Sequence, residues 1–138
     1  MRILVTGSRN WADRPAIHNQ LRSLRRFNPD QGPYVIVHGG CPSGADAIAN
    51  DFGLYVEPGE WELEVHRADW GRTGKAAGPI RNQFMVDTRP DFVLAFPLGG
   101  SRGTRDCIRR AQVARLPMIV TEGEVNLGKE VPVPREGL

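Results

Sequence analysis

Short apolar runs that break off at glycine or proline set the frame for this chain. "RILVT" (2–6) stops at Gly7, "YVIV" (34–37) is followed by His38 and Gly39, and "DFVLAF" (91–96) runs into Pro97. Their apolar residues are continuous rather than alternating, which suits strands covered on both faces of a parallel sheet. "WELEV" (61–65) and "PMIV" (117–120) are two weaker runs of the same kind. Between the runs, helices are expected from Asp13 to about Phe27, Ala45 to about Tyr55, Lys75 to about Thr88 and Gly103 to Arg115. In the first, Ile17, Leu21 and Leu24 recur at helical spacing while Arg14, Arg22, Arg25 and Arg26 fall on the solvent side. Proline is tolerated only near a helix start, so Pro79 moves the expected start of the third helix close to "PIRN" (79–82). Strands alternating with helices imply right-handed crossovers and an α/β three-layer sandwich around a mainly parallel sheet of about five strands.

At 138 residues the chain fits one domain, residues 1–121, and the proline- and charge-bearing stretch 122–138 reads as an extended tail. Hydrophobic residues at 40% and charged residues at 25% are an ordinary balance for a soluble protein, and no apolar run approaches the ~20 residues of a membrane span. "MRILVTGS" lacks the longer apolar core and cleavage site of a signal peptide, so a cytoplasmic protein without a membrane partner is expected. Cys41 and Cys107 are too few to staple a fold and are expected to be reduced. A net charge of +2, with arginines spread along the chain, gives no indication of nucleic-acid binding.

In an open α/β sheet, ligands bind beyond the carboxyl ends of the strands. The unusual residues of this sequence gather there, in "TGSRNW" (6–11), "HGGCPSGAD" (38–46), "RADWGRTGKAAGPIRN" (67–82) and "PLGGSRGTRD" (97–106). Glycines let backbone amides approach an anion, and an exposed helix N-terminus adds about 0.3–1 kcal/mol of attraction. Gly99, Gly100, Gly103 and Thr104 form the first candidate phosphate cradle, and Gly39, Gly40, Ser43 and Gly44 the second. Gly7, Ser8 and Arg9 of the first loop, and Lys75, Arg81 and Asn82 of the third, join them as candidate contacts. Arg81 suits bidentate phosphate binding and Lys75 a point charge, although either can serve as a surface ion-pair partner. Asp46 either caps its helix or accepts bonds from ribose hydroxyls. Asp69 lies in the third loop beside Trp70, and Trp70 or Trp11 either stacks on a base or packs its own loop. "GCPSGAD" lacks the ending of a Walker loop and "GGSRGT" the spacing of a dinucleotide fingerprint. His38, Cys41 and His66 offer no second pair of convergent ligands, so no metal and no cofactor are expected.

Taken together, "GSRNW", "VHGGCPSGAD", "ADW", "GKAAGPIRNQFM" and "AFPLGGSRGT" resemble the YspA-related branch of the SLOG superfamily over about residues 1–120. That superfamily includes the LOG phosphoribohydrolases and the DNA-processing protein DprA. The resemblance implies a Rossmann-like fold, a nucleotide-like or nucleoside-phosphate ligand, a homo-oligomer, and occurrence in bacteria and their phages. LOG enzymes cleave an N-glycosidic bond with an arginine of an R-x-x-x-M-like helix and a glutamate three residues beyond the threonine of P-G-G-x-G-T. Arg81 and Met85 match the first element. At the second, Cys107 stands three residues beyond Thr104, and Asp106 is shorter than glutamate and about 100° away around the helix. A thiol cannot supply a carboxylate's support for an oxocarbenium-like transition state. Binding of a nucleotide-derived or nucleoside-phosphate ligand, as a sensor, carrier or sequestering protein, is therefore the leading expectation. Phosphoribohydrolysis by Arg81 and Asp106 is the alternative, and single-stranded DNA binding by analogy with DprA is disfavoured by the weak charge.

Overall fold

The structure, a computed structural model, describes residues 1–123. Its strands are β1 (Arg2–Gly7), β2 (Val35–His38), β3 (Glu62–Val65), β4 (Phe92–Phe96) and β5 (Met118–Val120). Its α-helices are α1 (Arg14–Phe27), α2 (Gly44–Asp51), α3 (Trp70–Thr73), α4 (Ala77–Asp87) and α5 (Arg102–Val113). The five strands form one parallel sheet in the order β3-β2-β1-β4-β5, so the expected α/β sandwich with a parallel sheet is what the chain adopts.

Continuous apolar strands serve two cores because successive side chains point to opposite faces. On one face Ile3, Val5, Ile36, Leu94 and Phe96 meet Ile17 and Leu21 of α1 and Ile48 of α2. On the other, Leu4, Val37 and Val93 meet Met85 and Val86 of α4 and Cys107 and Ala111 of α5. β3 carries charges at Glu62 and Glu64 because it is an edge strand, paired only with β2.

Helix boundaries depart from the sequence expectation where hydrogen-bond geometry changes within one apolar stretch. The expected 45–55 helix is α2 followed by a π-helical turn, Phe52–Val56. The stretch before Pro79 is split into α3, a 3-10 turn (Gly74–Ala76) and α4, with Pro79 in the first turn of α4. Most of the expected tail lies outside the described residues. Its first two residues belong to the fold, with Glu122 paired to Arg105 at 2.8 Å and the Gly123 amide donating to the Pro97 carbonyl at 3.0 Å. No helix among the described residues is long and apolar enough to cross a membrane.

Candidate ligand-binding site

The chain reverses direction across the sheet between β1 and β4, and their carboxyl ends are joined where the Ser8 amide donates to the Phe96 carbonyl at 3.0 Å. Such a switch point is where open α/β sheets bind ligands. Burying polar groups is costly unless they are bonded, yet the buried polar side chains Thr6, Ser8, His38, Asp46, Asn82 and Thr104 all gather at this end.

Loop two uses its amides internally. The His38 Nδ1 accepts from the Gly40 amide at 3.0 Å, which leaves Nε2 to donate to Asn50 Oδ1 at 2.9 Å. Asp46 accepts from the Cys41 amide at 3.1 Å and also from Gly39. Burial pushes the Asp46 carboxyl above its ordinary value, against the opposing pull of those amides and of the Arg81 charge. The amides of Gly39 and Gly40, expected to face an anion, are thus consumed by a buried carboxylate and imidazole. The N-terminus of α2 is covered in the same way. Ala45 donates to the Ser8 carbonyl at 3.1 Å and the Ser43 hydroxyl to the Arg9 carbonyl at 3.0 Å. Gly44, at φ +71, lets the Ser8–Arg9 backbone lie against it, and Gly7 leaves room for Ala45 and Phe96. Asp46 therefore holds its own loop rather than capping a helix end.

The carbonyl side of loop two receives Arg81. Its Nη1 donates to the Gly39 carbonyl at 2.7 Å and its Nε to Asn82 Oδ1 at 3.0 Å. A side chain at Gly39 would occupy the space of the guanidinium. Asn82 in turn donates to the Gly103 carbonyl at 3.1 Å and to Asp106 at 3.0 Å, tying α4 to the first turn of α5. Arg81 is partly buried and forms no ion pair with a described carboxylate. Its hydrogen-bond partners are neutral, and its charge acts on the buried Asp46 carboxyl without forming an ion pair with it.

Loop four differs from loop two. Ser101, at φ +24, bonds both the amide and the carbonyl of Leu98 through its hydroxyl, and no side chain among the described residues caps α5. The amides of the first helical turn have no intrahelical acceptor. Among the described residues, nothing beyond the adjacent residues and the helix's own backbone lies within 4 Å of where a side chain would begin at Gly100 or Gly103, and neither has a positive φ. Nothing within the described fold requires glycine at either position. Gly99 does have a requirement, φ +49, and its carbonyl accepts from Arg105.

A family model described as the YspA, cpYpsA-related SLOG family matches residues 1–72. The Gene 61 protein of Mycobacterium phage D29 is 47% identical to this chain over 123 residues, which span 86% of the chain and 94% of that relative. The chain belongs to the YspA, cpYpsA-related SLOG family. No solved structure matches it significantly.

In this SLOG chain the residue three beyond Thr104 is a core side chain. Cys107 is fully buried, and burial pushes its thiol up to about 11, so it is neutral at pH 7. Burial also works to raise the Asp106 carboxyl, but bonds from Arg110 at 2.8 Å and from Asn82, with the charges of Arg110 and Arg109, hold it below its ordinary value. Asp106 reaches Arg81 only through Asn82. The third-loop candidates stay near the surface. Asp69 caps α3 through the Arg72 amide, Trp70 packs over Gly78 while remaining 58% exposed, and Lys75 and Arg9 are exposed. Trp11 packs on Phe96 in the core, with its ring nitrogen bonded to the Asp13 carbonyl. His38 was legible only as a weak metal ligand, and both its ring nitrogens serve the fold. Among the described residues no cluster of three or more His, Cys, Asp or Glu is arranged to hold a metal.

Proposed function

We propose that this SLOG domain binds a phosphate-bearing, nucleotide-like ligand at the β1–β4 switch point. The uncapped start of α5, with Gly100, Gly103 and Thr104, receives the anion beside Arg81. Ser8 and Asn82 line the same edge. The observation that carries this reading is a partly buried guanidinium held by neutral partners, one of which, Asn82, also bonds the first turn of α5 where no described side chain caps the helix, since an anion answers both. The assignment to nucleotides rather than other phosphates draws on family likeness and on the switch-point location.

Binding without hydrolysis fits the site better than base cleavage. A neutral, buried Cys107 offers no charge to an oxocarbenium-like centre, and Asp106 is engaged by Arg110 and Asn82. The test is thermal unfolding against nucleoside mono-, di- and triphosphates and ADP-ribose, with chromatography of the same mixtures for free base. A ligand at 100 times its Kd adds about 2.7 kcal/mol of stability, and Arg81→Ala is expected to abolish the shift. No shift across the panel overturns the ligand reading, and free base that disappears with Arg81→Ala overturns the preference for binding over cleavage.

A further inference from the structure

We infer that the ligand carries two linked phosphate groups and that Arg67 holds the second of them. The inference rests on the anion site proposed at the start of α5 and extends that site towards β3. Two successive glycines of loop two each house a guanidinium. A side chain at Gly39 would occupy the space of Arg81. One at Gly40, which also has φ +75, would sit 2.9 Å from Arg67 Nη1 and 3.0 Å from its Cγ. Arg67 Nη1 donates to the Gly40 carbonyl at 3.0 Å, as Arg81 Nη1 does to the Gly39 carbonyl. Arg81 Nη1 also reaches the carbonyl of His66, the residue before Arg67, at 3.5 Å. The two arginines are thus pinned side by side where β2 and β3 end.

Like charges set side by side repel one another unless a counter-charge joins them. Among the described residues neither guanidinium is in an ion pair. The carboxyls around them are engaged elsewhere. Asp46 accepts from the amides of Cys41 and Gly39, Glu64 from Arg2 and His66, and Asp69 from the Arg72 amide. No described residue takes Arg67 Nε or Nη2, or Arg81 Nη2, so both forks keep donors to spare. A planar fork of N–H groups matches the oxygens of a phosphate. One phosphate at the start of α5 beside Arg81 leaves Arg67 unanswered, whereas a second phosphate linked to the first answers it.

The experiment is isothermal titration calorimetry of the full chain with AMP, ADP, ADP-ribose, phosphate and pyrophosphate. The wild type is expected to bind ADP or ADP-ribose more tightly than AMP, and pyrophosphate more tightly than phosphate, by about tenfold, the share of one charge-assisted hydrogen bond. ADP and ADP-ribose separate a terminal diphosphate from a bridging one. Arg67→Gln keeps a donor for the Gly40 carbonyl and removes the charge. It is expected to erase the preference for two phosphates and to leave AMP and phosphate binding as in wild type, whereas Arg81→Gln weakens every probe. Arg67 is exposed, so its replacement leaves the fold intact. Equal wild-type affinity for one and two phosphates overturns the inference and leaves the anion site standing. So does a loss in Arg67→Gln shared equally by AMP and ADP, which would make Arg67 a pin between loops. If no probe binds, the anion site falls and the inference with it.

Discussion

A thiol in the place of a carboxylate changes the charge that a nearby guanidinium sees. Cys107 lies among Leu4, Val93 and Ala111, and burial keeps its proton on up to about pH 11. Putting a carboxylate there does not restore a catalytic pair, because a charge without a partner in an apolar layer costs several kcal/mol. Cys107→Glu is expected to lose several kcal/mol in urea unfolding, or to fail to fold, and to release no base from nucleoside monophosphates. A Glu variant as stable as wild type that releases base would show that the core tolerates this position as a catalytic one. The two cysteines also separate chemically. Cys41 is partly exposed, so iodoacetamide should label the native protein once, at Cys41, and Cys107 only after unfolding. Rapid native labelling of Cys107 would contradict its burial.

At the scale of the element, the starts of α2 and α5 look alike in sequence and differ in structure. Ser8 and Arg9 cover the first, whereas among the described residues the second has no side-chain cap and has open space over Gly100 and Gly103. Gly103→Ala should then have opposite effects in two measurements. Alanine in a helix is better than glycine by about 0.5–1 kcal/mol, so the free protein should melt higher. A methyl group in the space proposed for the anion should shrink the ligand-induced shift. An Ala variant that keeps the full shift would remove the α5 start from the site. The contrast between the two loops marks how far the sequence could be read. Continuous apolar runs declared a two-faced sheet, and glycines after β1, β2 and β4 pointed to the sheet edge where the candidate site is proposed. That Asp46 and His38 turn inward to bind the amides of Gly39, Gly40 and Cys41 was not legible, because "HGGCPSGAD" has the same composition whether its amides face a ligand or its own side chains. The relay from Arg81 through Asn82 to Asp106 was hidden for a related reason. It joins two helices whose mutual placement no local spacing encodes.

Across the whole molecule, buried or half-buried carboxylates tie together elements distant in the chain, and this sets the response to acid. Glu64 bonds Arg2 across β2, and those bonds come first in holding its carboxyl below the ordinary 4.5. Burial works against Glu57, but bonds from Trp61 and Arg22 outweigh it, and Asp106 is held low by Arg110 and Asn82 against the same opposition. For each of these groups the unfolded chain takes up a proton more readily than the folded one. Their stabilisation is complete above the ordinary values of 3.8 and 4.5 and is lost as pH falls through the lowered folded values. Asp46 acts in the opposite sense. Its raised carboxyl favours the folded state below 3.8, and that contribution is lost as pH rises through its folded value. Acid unfolding is thus the net of several ties that weaken and one buried group that is relieved. Glu64→Gln separates the terms, since it removes the Arg2 tie and leaves Asp46 in place. Urea unfolding should find the variant less stable than wild type at pH 7, with the gap narrowing below about pH 4.5 as wild-type Glu64 takes up its own proton. A gap that stays constant down to pH 3 would mean that Glu64 contributes packing rather than charge, and that the acid limb of this fold is set elsewhere.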